Sequence, residues 1–324
     1  MEQPMSEVPQ RVAERKVTGE AEPMVSVCMT TYNHEKYLAQ AIECVLNQHC
    51  SFAVEIRLGV DRSSDATESI AAEYARRFGD CVKLEMVEQR LGMRRNYARI
   101  IAACRGKYVA FCDGDDWWCD QQKLQRQVEM LEQNPDIAMC FTRSKRVTDD
   151  GTVVSIYPPA DGGCSFEEML ELNRAENCTA VARRSDIEEY YRTVEPLSHT
   201  EWLTDDLPMW LWFAANRKIA FIDEVTAAHR IVEQSVSHRS DYHERIAFCD
   251  SLGDIKLWAD KAFNGDRRRF ALLKRRENDA LWALARYGTA AEYMKRWWQG
   301  VMAHPSLVAN VAGYVLIFKR LKRK

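Results

Sequence analysis

The sequence predicts an α/β fold, with a mainly parallel sheet flanked by helices and a helical C-terminal region beyond it. Three observations carry that expectation. Short apolar runs alternate with helical segments from about residue 24 to residue 141, and strand–helix alternation calls for crossover connections and a parallel sheet covered on both faces. From about Tyr242 the pattern turns helical, in runs broken by Gly and Asn. The 324 residues, 46% hydrophobic and 29% charged, have ordinary globular values, which exclude disorder, collagen and coiled-coil arrays as the main architecture.

The elements follow in order. MVSVCMTTYN, from Met24, is an apolar run ending in polar turn residues, a buried strand. Leu38, Ile42, Val45 and Leu46 recur at helical spacing, and Val54, Ile56, Leu58 and Val60 alternate as in a strand. DATESIAAEYARRF is helical, with Ile70, Tyr74 and Phe78 four apart. Val82, Leu84 and Met86 make a strand, RRNYARIIAAC a helix and KYVAFC a buried strand. QQKLQRQVEMLEQN is a helix stopped before Pro135, and IAMCF one more strand. PPADGG, residues 158–163, is the clearest loop.

Composition narrows the function classes. Lys and Arg number 45 against 48 Asp and Glu, a net charge of −3, so no nucleic-acid partner is expected. Eleven cysteines without a C-x-x-C pair give neither a disulfide scaffold nor a structural zinc site. They read as reduced thiols of a cytoplasmic protein. Residues 1–23 carry charges throughout and lack the apolar core of a signal peptide, so a disordered leader is expected. The chain lacks G-x-x-x-x-G-K-[ST], G-x-S-x-G and G-x-G-x-x-G, which weighs against a P-loop, a serine hydrolase elbow and a dinucleotide dehydrogenase.

Ligands of parallel sheets bind beyond the carboxyl ends of the strands, so the polar residues there carry the chemistry. In CDGDDWW, residues 112–118, Asp113, Asp115 and Asp116 repel one another unless something cationic is present. A hard divalent cation answers that need, and a solvated acidic turn is the plainer alternative. In VDRSSDAT, residues 60–67, Asp61 is placed to accept from a base N–H or a ribose hydroxyl, and Asp65 to cap the helix that follows. Trp117 and Trp118 stack on a sugar face or belong to the core.

VSVCMTTYN, VDRSSDAT, LGMRRNYAR and YVAFCDGDDWW stand in the order and spacing of glycosyltransferase family 2, and the region from about Val25 to His238 resembles its GT-A catalytic domain. The resemblance implies a domain over residues 24–238 and a helical region with a basic tail over 239–324. It implies nucleotide contacts from Thr30, Tyr32, Asn33 and Asp61, with Gly92 and Asn96 beside the nucleotide and Asp113 contributing. It implies Mg²⁺ or Mn²⁺ on the donor diphosphate, held by Asp115 with help from Asp113. Val60 and Arg62 replace an Asp and a Gly of the family pattern, so the nucleotide loop is expected to differ in shape.

Two further segments extend the likeness. LTDDLPMWLWFA, residues 203–214, resembles the catalytic-base segment and places the base at Asp206, with Asp205 the runner-up. Capping of the helix start is the structural alternative for either residue. DEVTAAHRIVEQSVSH resembles the segment that closes the donor site. Arg230 there matches an Arg expected on the diphosphate. His229 stands where Tyr is common, and it or His238 is a candidate third metal ligand or a structural histidine.

The reading is therefore an inverting transferase of the hexosyltransferase type. It moves a sugar from a nucleotide-diphosphate donor, a UDP-sugar by preference, to a hydroxyl of a glycan or lipid-linked acceptor, in polysaccharide synthesis. A non-catalytic sugar-nucleotide-binding module of the same fold is the alternative. A sugar-phosphate nucleotidyltransferase would have a Gly-rich, Arg-containing loop where TTYNHEKY stands. The apolar run 306–318 before KRLKRK would reach ~20 Å as a helix, short of the ~30 Å hydrocarbon core. The tail reads as a buried helix with a basic end or as peripheral contact with the inner face of the membrane.

Overall fold

The computed structural model describes residues 22–159, 163–232 and 241–303. Most of the expected leader, the middle of the 158–163 loop, His238 and the apolar and basic tail lie outside these described residues.

The alternation read from the sequence is present. β1 (Val25–Thr31), α1 (Leu38–Leu46), β2 (Val54–Val60), α2 (Thr67–Arg77), β3 (Val82–Met86), α3 (Met93–Ala103) and β4 (Tyr108–Phe111) follow one another. β5 (Trp117–Trp118), α4 (Lys123–Gln133), β6 (Ile137–Val147), β7 (Val153–Tyr157) and α5 (Phe166–Glu171) come next. A 3-10 turn at Asn177–Thr179 precedes β8 (Val181–Arg183) and α6 (Arg184–Val194), and another follows at Pro196–Ser198. α7 (Asp206–Asn216) and β9 (Lys218–Arg230) complete the sheet region, and α8 (Tyr242–Asn264), α9 (Arg269–Tyr287) and α10 (Ala290–Ala303) follow.

The sheet order is β3-β2-β1-β4-β8-β6-β9-β5, with β7 paired to β6. The β3-β2-β1-β4 half is parallel throughout, as crossover helices require. The other half is mixed. β8 runs antiparallel between β4 and β6, β9 is parallel to β6, and β5 is antiparallel to β9. The sequence placed IAMCF as the next strand of the series, but β8 lies between it and β4. At three residues β8 is too short for a periodic signal. Every residue of β1 is buried, because helices cover the sheet. Leu38, Ala41, Ile42 and Val45 of α1 pack into the same core, each fully buried Leu or Ile contributing ~1.5–3 kcal/mol.

The described chain forms two compact units. One holds the chain up to Leu197 with Trp212–Arg230, and the other holds Ser198–Leu211 with the chain from Ile231 onward. In the second unit Leu281, Leu284 and Tyr293 form a small core with Tyr242, Ile246 and Trp297. The Asp241 side chain accepts from the amides of His243 and Glu244 and starts α8. Arg296 bridges Asp250 and Glu277 and ties the three helices together.

Candidate functional site

The ends of β1, β2 and β4 bring the expected residues to one edge of the sheet. The chain after β1 turns through Asn33, whose φ of 55° is a conformation that Asn tolerates better than most residues. The Asn33 amide oxygen accepts from the Ser64 backbone, 2.9 Å, and the Asn33 N–H donates to Ser63 Oγ, 3.2 Å. His34 N–H donates to Thr67 Oγ1 and Glu35 N–H to Asp65. The two loops are thus laced together. Asp65 also accepts from the Thr67 amide, 3.0 Å, but the cap position of α2 is Ala66, so Asp65 braces the turn before the helix rather than capping it as expected. Arg62 pairs with Glu68 at the surface, 2.6 Å. Arg90 lies 4.1 Å over the Tyr32 ring.

Asp61 is buried and accepts three backbone hydrogen bonds. Oδ1 takes the amides of Arg62 and Leu91, and Oδ2 takes that of Gly92 at 2.9 Å. A carboxylate from β2 therefore stands at the N-terminus of α3, where the helix dipole favours it. Gly92 starts the helix at φ 83°, ψ 158°, a region open essentially to glycine alone. Asn96 is buried one turn further on. Its Nδ2 donates to the Gly59 carbonyl and its Oδ1 accepts from Arg99, so its amide ties α3 to β2.

The acidic segment after β4 is the electrostatic centre. Thr30 donates to Asp113 Oδ1 at 2.7 Å, and Asn177 donates to Oδ2 at 2.8 Å. Burial and the neighbouring Asp115 charge push the Asp113 carboxyl up to about 7. Burial also raises Asp115, against the opposing charge of His34, whose Nε2 lies 3.8 Å away. For Asp116 burial works the same way, but His229 and the hydrogen bonds from His229 and Arg230 outweigh it. They hold that carboxyl below its ordinary range. His229, 3.3 Å from Asp116, is raised to about 10, the carboxylate overcoming the burial that opposes protonation.

Two surplus carboxylates with displaced ionisation are what a divalent cation would relieve. Asp113 and Asp115 are hard oxygen donors of the kind Mg²⁺ and Mn²⁺ prefer, so the residues fit the expected ion. His229 is bound to Asp116, and His34 is the imidazole paired with Asp115. Asp116, Cys178 and His229 also bring donor atoms within 4.8 Å of one another. Burial pushes the Cys178 thiol up, and a cysteine sulfur is a soft ligand that suits zinc better than Mg²⁺ or Mn²⁺.

Arg230 supports the same segment. Its amide donates to Asp116, its Nε to the Asp115 carbonyl at 3.1 Å and its Nη2 to Gln40 at 2.8 Å. The guanidinium lies between the Tyr37 and Trp117 rings, 4.5 and 4.6 Å from their centroids. Arg230 thereby spends two of its donor groups holding the carboxylate loop. Trp117 is covered by that cation, whereas Trp118 is buried and donates its Nε1 to the Cys178 carbonyl. Sequence reasoning missed Asn177, which also accepts from Tyr97 and so anchors Asp113. It missed Gln40 and His34 as well. Asn177 sits in no periodic or motif context, and although His34 follows TTYN and Gln40 lies within the first helix, no pattern marks either side chain.

The second acidic pair belongs to the start of α7. Asp206 Oδ1 accepts from the Leu207 amide at 2.7 Å and from the Thr204 hydroxyl, a helix-start geometry. Asp205 is buried.

This chain belongs to glycosyl transferase family 2, whose model matches residues 26–191. The uncharacterized protein Rv1520 of Mycobacterium tuberculosis is 29% identical over 232 residues, 71% of this chain and 64% of that one. The chain thus spans under two thirds of that relative's length. The putative teichuronic acid biosynthesis glycosyltransferase TuaG of Bacillus subtilis is 27% identical over 66% of this chain and 82% of its own. Among solved structures, TarS residues 1–349 of S. aureus with UDP-GlcNAc aligns at a TM-score of 0.58. It is 16% identical, over 86% of this chain and 79% of that TarS fragment. The mannosyltransferase PcManGT of Pyrobaculum calidifontis, with GDP-Man and Mn²⁺, aligns at 0.57. It is 17% identical, over 97% and 93% of the two chains. Similarity this distant shows the fold, which is GT-A.

Proposed function

We propose that this protein is an inverting glycosyltransferase that takes a sugar from a nucleotide diphosphate, with a UDP-sugar the preferred donor. The observation that carries the reading is the gathering of Thr30, Asn33, Asp61, Gly92, Asp113 and Asp115 at one sheet edge. It is the edge where α/β folds bind ligands. Tyr32, Asn33 and Asp61 define the nucleoside end, with Asp61 and Gly92 fixing the loop wall and Asn96 bracing it from behind. Asp115, with Asp113, would hold Mg²⁺ or Mn²⁺, which supplies Lewis-acid neutralisation of the departing diphosphate. Arg230 keeps the Asp115 loop in place. His229 fixes Asp116, and a direct ligand role for it is the finer alternative.

Asp206 is the proposed base, with Asp205 second. It removes the proton from an acceptor hydroxyl as that oxygen bonds to the anomeric carbon. The bond from that carbon to the diphosphate oxygen breaks with its electron pair on the leaving group, and attack from the opposite face inverts the centre. The acceptor is a glycan or lipid-linked hydroxyl, for which the relative TuaG, named for teichuronic acid biosynthesis, offers a likeness. All eleven cysteines are free thiols, which supports a cytoplasmic setting.

Calorimetric titration with UDP-, GDP- and other nucleotide sugars, each with Mn²⁺, Mg²⁺ or chelator, tests the reading. Metal-dependent binding of one donor that Asp115→Asn abolishes is the expected result. Metal-independent binding unaffected by that substitution would remove the site from consideration.

A further inference from the structure

α10 buries Tyr293 against Leu281 and Leu284 of α9. An adjacent side of the helix stays open. Met294, Trp298 and Met302, four residues apart and therefore on one face, are 46%, 58% and 64% exposed. Single exposed apolar residues are ordinary, but a stripe along successive turns that includes an indole marks an interaction surface. Exposed Lys295 flanks it.

The charge of the chain is divided just as sharply. Residues 241–324 hold 17 Lys and Arg against nine Asp and Glu, a balance of +8. With −3 for the whole chain, the first 240 residues carry −11. Beyond Ala303 the sequence passes through the apolar run 306–318 into KRLKRK.

We propose that the open face of α10 docks on an anionic phospholipid bilayer. Met294, Trp298 and Met302 enter the boundary between headgroups and acyl chains, and the exposed Lys295 beside them meets the headgroup charge. An acidic polymer would use the basic residues and leave the stripe without purpose. A second copy of this chain would bring two strongly positive regions together. No described helix is long and apolar enough to cross a membrane. The inference stands on α10 and the charge division alone and needs nothing from the transfer reaction.

The test is sedimentation of the full chain with vesicles of phosphatidylcholine, with and without phosphatidylglycerol, and without any sugar donor. Binding should be ~10-fold tighter to the anionic vesicles and should weaken with salt. Trp298→Glu with Met302→Glu should lower affinity ~10-fold or more while the thermal transition stays in place. Trp298→Gln serves as a milder variant should the double substitution disturb folding. Equal affinity for both vesicle types would overturn the proposal. So would undiminished binding by the α10 variants, or a dimer that these substitutions dissociate in a protein that ignores vesicles.

Discussion

At the scale of single residues, the site shows side chains used for two purposes at once. Asp113 is held by Thr30 and Asn177, yet burial and Asp115 raise its carboxyl to about 7 from an ordinary 3.8. A folded-state value above the unfolded one means that stability is intact in acid and is lost as pH rises through the folded value. Asp113→Asn removes that loss. In chelator its stability relative to the parent should be greater at pH 8 than at pH 5, as urea unfolding will read. Equal differences at both pH values would mean that Asp113 is not strained by its neighbours. Gly92 gives a second residue-scale prediction. No atom lies within 4 Å of where a Cβ would stand, so Gly92→Ala meets only the strain of φ 83°. That strain should cost about 1–3 kcal/mol in the same measurement. Asp206→Asn bears on chemistry. It should keep donor affinity in calorimetry and lower transfer ~10²-fold or more, whereas normal turnover would end its assignment as base.

At the scale of elements, the contact between β2 and α3 decides where the loop after β2 lies. Asp61 and Asn96 make the polar ties, and Gly59 lets the helix come close. A Cβ on Gly59 would stand 2.1 Å from Ile100 Cγ1. Gly59→Ala should therefore cost about 1–3 kcal/mol by overpacking. Pairing it with Ile100→Ala should return part of that loss in a double-mutant cycle, since the two residues share one space. The sequence showed Asp61 and Asn96 as candidates, but it left open whether their polar groups faced ligand or backbone. The packing of α3 on β2 supplies the backbone partners of both. For Asn96 the amide is engaged on both sides, and for Asp61 three amides hold the carboxylate.

At the scale of the whole molecule, donor and metal that bind the native state alone should stabilise it by ~2.7 kcal/mol at a hundredfold excess over Kd. A thermal transition that rises with nucleotide sugar plus Mn²⁺, and not with either alone, is the expected signature. The sequence by itself determined the α/β alternation, the parallel half of the sheet, the helical C-terminal region and the candidate acidic and polar residues. Those follow from local periodicity and from residue types at strand ends, which the chain carries wherever it folds. Only the tertiary structure decided that β8 enters antiparallel between β4 and β6, that Arg230 clamps the Asp115 loop, and that His34, Gln40 and Asn177 meet Asp115, Arg230 and Asp113. Each depends on residues far apart in the chain meeting across the sheet. Such meetings are set by packing and hydrogen-bond satisfaction in three dimensions, which leave no period in the sequence to read.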